Sequence, residues 1–116
     1  VTAARRAVAA KMEACFVLAG AIVTHASEYP GWAPAAESPI RDACVASYKK
    51  LFGVEPKVKA IHAGLECGLF TEKFPGLDMV SMGPTLRGVH APGERLDLAS
   101  LDKFTTLLVD VICNFK

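Results

Sequence analysis

Apolar residues recur at helical spacing near the start of the chain, at Val8, Met12, Cys15, Phe16 and Ala19, while Arg5, Arg6, Lys11 and Glu13 supply a polar side. The spacing predicts a helix over residues 3–19, and Gly20 is a natural stop because glycine accepts the left-handed turn that ends a helix. Residues 21–26 (AIVTHA) are rich in β-branched side chains and predict a strand. Two prolines and a glycine in Tyr29-Pro30-Gly31-Trp32-Ala33-Pro34 forbid regular structure, and the aromatic pair predicts a packed-down hinge rather than a flexible linker.

Ser38 followed by Pro39 predicts a helix start, since the hydroxyl caps a free N–H and proline at the first helical position has none to satisfy. That helix is expected to run to Phe52, with Gly53 ending it. Residues 58–62 (VKAIH) predict a second strand, feeding a turn at Ala63-Gly64-Leu65-Glu66-Cys67-Gly68 and a short helix to Phe70 or Lys73. Pro75-Gly76 turns the chain into a third strand over residues 77–82, which Gly83-Pro84 ends. Residues 85–95 read as an irregular loop around His90. Residues 99–115 place Leu101, Phe104, Leu107, Leu108, Val111, Ile112 and Phe115 at helical spacing, as in a long amphipathic helix packed on a sheet. This alternation predicts an α/β fold with ligands gathering in loops beyond the strand ends.

Composition narrows the function classes. The 116 residues carry 13 Lys and Arg against 12 Asp and Glu, a net charge of +1, which argues against nucleic acid as a partner. With 52% apolar and 22% charged residues the chain is no candidate for disorder. Its longest apolar run, residues 15–23, is about half of what a membrane span needs. Mean hydropathy is nevertheless +0.31, high enough to suggest that some apolar surface faces something outside these residues. Val1 stands where a start methionine would, and a helical pattern follows with no signal-peptide core, so the chain is expected to begin inside an element.

Candidate chemistry is sparse. Cys15, Cys44, Cys67 and Cys113 include no C-x-x-C pair and sit among apolar neighbours, as reduced structural thiols of a cytosolic protein do; the sequence leaves two disulfides open. His25 lies within the first expected strand, where a packed imidazole is ordinary. His62 ends a strand before a glycine turn, and His90 sits among glycines and prolines with no hydrophobic reason to be there. No H-E-x-x-H, G-x-S-x-G, Walker or Rossmann pattern occurs. Read from the residues alone, the chain is an α/β domain with a polar site assembled from His62, Glu66 and His90.

The string Ile61-His62-Ala63-Gly64-Leu65-Glu66-Cys67-Gly68-Leu69-Phe70, followed by Met79-Val80-Ser81-Met82-Gly83-Pro84 and by His90-Ala91-Pro92-Gly93-Glu94, resembles the C-terminal part of the aminoacyl-histidine dipeptidases. These Xaa-His or cytosolic nonspecific dipeptidases are co-catalytic zinc metallopeptidases. Tyr29-Pro30-Gly31-Trp32 is similar to a stretch of the same enzymes, and the resemblance runs from about Arg5 to Ile112.

The resemblance implies the C-terminal part of a three-layer αβα zinc-peptidase catalytic domain (residues 35–116), preceded by the last helix and strand of an α+β lid or dimerisation domain (residues 1–34). His90 would be the last ligand of a dinuclear zinc centre, with cobalt or manganese as alternative metals. Its other ring nitrogen is expected to meet a carboxylate or carbonyl, and Glu94 is close in sequence. His62, Gly64 and Glu66 would line the substrate pocket. The family's remaining zinc ligands, bridging aspartate and general-base glutamate belong to an N-terminal half that would be this chain's partner, so no catalytic residue falls in these 116 and they are expected to be inactive alone. The resemblance further implies a dipeptide substrate, a homodimer formed through the lid and a cytoplasmic location, while the charge balance and short apolar runs already argue against a nucleic-acid or membrane partner. A non-enzymatic α/β oligomerisation module is the competing reading, and a small-ligand binding domain a third. Exposed apolar patches, or strand edges covered by a second copy, are expected wherever the missing half belongs.

Overall fold

Helix ends fall where local chemistry puts them in the computed structural model, which describes residues 2–61 and 66–116. The first helix, α1 (Thr2–Leu18), is rich in alanine, the best helix former. It closes in a Schellman motif: Gly20 takes φ +86°, its N–H bonds the Val17 carbonyl at 2.9 Å, and the Ala21 N–H reaches back to the Phe16 carbonyl at 3.0 Å. In α2 (Pro39–Phe52), Ser38 accepts the Arg41 N–H at 3.2 Å, Pro39 fills the first position, and Gly53 at φ +69° ends the helix. A short α3 spans Cys67–Lys73, and α4 spans Leu98–Asn114, capped by Asp97, whose carboxylate accepts the Ala99 N–H at 3.1 Å.

The described residues gather into two compact units. Unit 1 comprises Val1–Pro34 and Ile61–Leu77. In it Glu28 bonds Arg5 at 2.9 Å and Arg6 at 2.8 Å, which ties the segment after α1 back onto that helix. Gly68 of α3 is buried against the Pro30 carbonyl and the Tyr29 ring, so close that a Cβ there would collide with the carbonyl oxygen. Tyr29 and Pro30, within the segment expected to act as a hinge, are half-buried at this contact.

Unit 2 comprises Ala35–Ala60 and Asp78–Lys116. Its core is Cys44 of α2 with Leu107 and Val111 of α4, flanked by Ile40, Tyr48, Leu51, Phe52, Val80 and Met82. Burial pushes the Cys44 thiol pKa up. Lys103 of α4 donates to the Tyr48 hydroxyl at 2.6 Å and lies 4.5 Å from the Phe52 ring centre, adding a cation–π contact across the α2–α4 seam. Asp78 reaches the α2 N-terminus, accepting from the Ser38 hydroxyl at 2.5 Å and the Ile40 N–H at 2.9 Å.

The strand expectations need correction. Residues 21–26, 58–61 and 77–82 have no ladder partner among the described residues, and the sheet found there is a different one. β-branched propensity favours a pleated surface but cannot supply the neighbouring backbone that makes a ladder. Residues 77–82 still keep the strand period, with Asp78, Val80 and Met82 turned toward α2 and the core. Ile22 is 96% exposed, so the most apolar side chain of the first expected strand packs on nothing in its unit. The observed sheet is a hairpin, β1 (Leu86–Arg87) with β2 (Arg95–Leu96), antiparallel with Leu86 opposite Leu96 and Arg87 opposite Arg95. It lies inside the segment read as an irregular loop. All four cysteines are free thiols; Cys15 and Cys113 are exposed, and only Cys44 has the expected core position.

The surface is large. The chain exposes 9179 Å², whereas even two separate compact bodies of half its mass would expose about 7,300 Å² in total. Val8, Met12, Phe16 and Val17 leave an apolar stripe of α1 more than half exposed, and Leu98, Val109 and Ile112 do the same on α4. No helix among the described residues is long and apolar enough to cross a membrane.

Candidate functional site

His90 sits on the turn that joins β1 to β2, and its backbone is unusual. Its φ is +61°, in the left-handed region that a residue with a Cβ enters uncommonly, although histidine does so more often than most. The turn is closed from both ends. Ala91 N–H donates to the Gly88 carbonyl at 3.1 Å, Glu94 N–H donates to the Ala91 carbonyl at 3.1 Å, and Glu94 Oε2 accepts the His90 N–H at 2.9 Å. Gly88 at φ +62° and Gly93 at φ +85° supply the reversals on either side. The hairpin is anchored to α4 where Asp97 N–H donates to the Thr85 carbonyl at 2.9 Å and Thr85 N–H donates to Ser100 Oγ at 2.8 Å. The exposed imidazole therefore rides on a backbone held at several points. Glu94, expected at the other ring nitrogen of His90, instead takes the backbone amide, because a side chain four residues on curls back across the turn.

His62 and Gly64 lie outside the described residues. Glu66 is exposed at the N-terminus of α3, in unit 1, and makes no side-chain cap there. Desolvation, followed by the charges of Glu66 and Cys67, pushes the Tyr29 phenol pKa up, so Glu66 lies within electrostatic reach of the Tyr-Pro-Gly-Trp hinge. His90 belongs to unit 2. The site drawn from His62, Glu66 and His90 is thus described only as separate parts. Among the described residues no three His, Cys, Asp or Glu side chains gather as a metal-holding group. The donor set fits a single ligand: His90 offers an exposed imidazole on a turn held at several points, and a complete centre would draw its other ligands from elsewhere.

His25 departs from its expected place within a strand. It lies in an irregular segment with its ring Nε2 3.0 Å from Glu13 Oε2, on the wall of a groove of about 650 Å³ that Arg5, Arg6, Glu28 and Tyr29 also line. Hydrogen bonds from Arg6 and Arg5 hold the Glu28 carboxyl at a pKa of about 2. The groove's charges are satisfied by one another. The feature that sequence reasoning missed is the hairpin, and its signal was the pair Gly88 and Gly93 bracketing His90 at turn spacing.

The model of peptidase family M20/M25/M40 matches residues 10–114. The cytosol non-specific dipeptidase of Escherichia coli (strain K12) is 44% identical over 95 residues, which are 82% of this chain and 20% of that protein. The crystal structure of aminoacylhistidine dipeptidase from Vibrio alginolyticus superposes with a TM-score of 0.73 at 37% identity, over 97% of this chain and 23% of that one. The chain spans about a fifth of the length of these relatives. Its mixed helix and sheet match the dipeptidase fold, and the chain belongs to peptidase family M20/M25/M40.

Proposed function

We propose that this chain is the C-terminal portion of a zinc-dependent dipeptidase that hydrolyses Xaa-His and other dipeptides in the cytoplasm. The observation that carries the reading is the likeness to aminoacylhistidine dipeptidase over 97% of the chain at 37% identity. In this reading residues 1–34 end a lid and dimerisation domain, and residues 35–116 end the catalytic domain. His90 contributes one ligand to a dinuclear zinc centre, and His62, Gly64 and Glu66 contribute to the dipeptide pocket. When bound, the metal supplies Lewis-acid activation of water and of the scissile carbonyl. This chain's own part is to hold one imidazole at a fixed angle and to wall the pocket. The proton-accepting glutamate and the other ligands come from the rest of the enzyme, so these residues by themselves hydrolyse nothing: one imidazole lacks the coordination shell that makes a catalytic zinc.

The exposed stripes of α1 and α4, and the strand-like segments without ladders, are surfaces that the rest of such an enzyme and its dimer partner would cover. The same apolar faces would serve a non-enzymatic oligomerisation module, so the test must address chemistry. In the full-length protein His90→Ala is expected to abolish or sharply reduce dipeptide hydrolysis and to lower the zinc content measured by elemental analysis. Wild-type turnover with full zinc occupancy in that variant would overturn the His90 assignment, whereas a wild-type full-length protein that hydrolyses no dipeptide would leave the module.

A further inference from the structure

We propose that Glu94 is a positioning residue for His90, acting through the backbone rather than through the imidazole; this rests on the reading of His90 as a metal ligand. Three observations carry it. First, His90 occupies the left-handed region at φ +61°, a conformation that surrounding structure must hold for a residue with a Cβ. Second, the His90 N–H points to Glu94 Oε2 at 2.9 Å, a charge-assisted bond that satisfies the amide in this conformation. Third, the Glu94 amide is itself fixed on the Ala91 carbonyl at 3.1 Å, so main chain and side chain of one residue grip the turn on both sides of Ala91.

A metal ligand gains affinity from being held at its bonding angle before the metal arrives, because little freedom remains to be lost on binding. The usual device is a carboxylate on the ligand's second ring nitrogen. Here the carboxylate near His90 works one step further back: it fixes the φ that decides where the Cα–Cβ bond of His90 points, and so leaves both ring nitrogens for other partners. Acceptance of an N–H is all that Glu94 must do, and a neutral amide oxygen can do it.

The test compares three variants of the full-length zinc-loaded protein, Glu94→Ala, Glu94→Gln and His90→Ala. It reads zinc affinity by chelator competition, kcat and KM for a dipeptide, and amide hydrogen exchange of the peptide covering residues 86–96. Glu94→Ala is expected to weaken zinc binding about 10- to 100-fold, to lower kcat with KM nearly unchanged, and to speed exchange within that peptide alone. Glu94→Gln should stay close to wild type in all three. If His90→Ala loses zinc while Glu94→Ala binds it as wild type does, the positioning role is overturned and the ligand reading stands. If Glu94→Gln fails as badly as Glu94→Ala, the carboxylate's charge is what matters and the backbone role is overturned. If His90→Ala keeps its zinc, the ligand reading falls and takes this proposal with it.

Discussion

Ser38→Ala removes one oxygen that does two things at the start of α2. The hydroxyl accepts the Arg41 N–H at 3.2 Å and donates to Asp78 Oδ1 at 2.5 Å, and Ser38 is only 4% exposed, so water does not readily replace either bond. Loss of a serine N-cap costs about 1 kcal/mol, and loss of a second hydrogen bond at a buried position adds about 1 kcal/mol. A total of about 2 kcal/mol should lower the thermal midpoint of a domain this size by roughly 8 °C, read by circular dichroism at 222 nm, whereas Ser38→Thr keeps the oxygen and should lower it by much less. The effect also has a pH signature. The Ile40 N–H and then the Ser38 hydroxyl hold the Asp78 carboxyl below the ordinary aspartate range. A carboxyl with a depressed folded pKa contributes stability above its unfolded value and loses it as pH falls through the folded one. The gap between wild type and Ser38→Ala should therefore narrow in acid, and the Asp78 carboxyl resonance should titrate at higher pH in the variant. A midpoint unchanged by Ser38→Ala, or a gap as wide in acid as at neutral pH, would refute the double cap.

Three further outcomes follow from the packing. Gly68→Ala should destabilise by about 2 kcal/mol in chemical denaturation, since its Cβ would run into the Pro30 carbonyl oxygen; a neutral effect would mean that the Pro30 backbone yields freely. Leu107→Ala, in the α2–α4 core, should cost about 3 kcal/mol, while Ile112→Ala should change the stability of this chain alone by less than about 0.5 kcal/mol and that of the full-length enzyme by clearly more; equal small effects in both would show that the outer face of α4 stays uncovered. The Glu28 carboxyl should titrate near 2 by carbon NMR and move toward 4.5 when Arg5 and Arg6 are both replaced by alanine; the clasp it forms is present above 4.5, fades as pH falls through about 2, and should weaken with added salt.

What could be read in the sequence is what neighbouring residues decide. The ends of α1 and α2 were legible because Gly20, Ser38, Pro39 and Gly53 act on backbone groups within four positions of themselves. That residues 21–26, 58–61 and 77–82 have no ladder partner among the described residues was not legible, because a ladder depends on a backbone remote in sequence, and composition carries no information about whether it is present. The hairpin around His90 was missed for the opposite reason: strands of two residues are too short to show any period, and the turn is built from backbone bonds and one carboxylate. His90 stood out by its place among glycines and prolines, but its φ and its dependence on Glu94 lie outside what a pattern of side chains can express. Glu66 was found at its turn, yet its partner in reading, His62, lies outside the described residues.

The contrast between the His90 turn and the rest of the surface bears on how such a chain works within a larger enzyme. The turn is held by short-range bonds between residues 85 and 100. The apolar faces of α1 and the outer face of α4 are the reverse: they have helical form but lack the burial that would make that form stable. On the proposed reading, assembly with the remainder of the enzyme is expected to stabilise the elements that carry the His90 turn, while the direction of the His90 side chain is set beforehand by a ring of bonds a few residues across. On that reading a zinc site would gain its framework from long-range burial and its local geometry from Glu94 and the glycines beside His90.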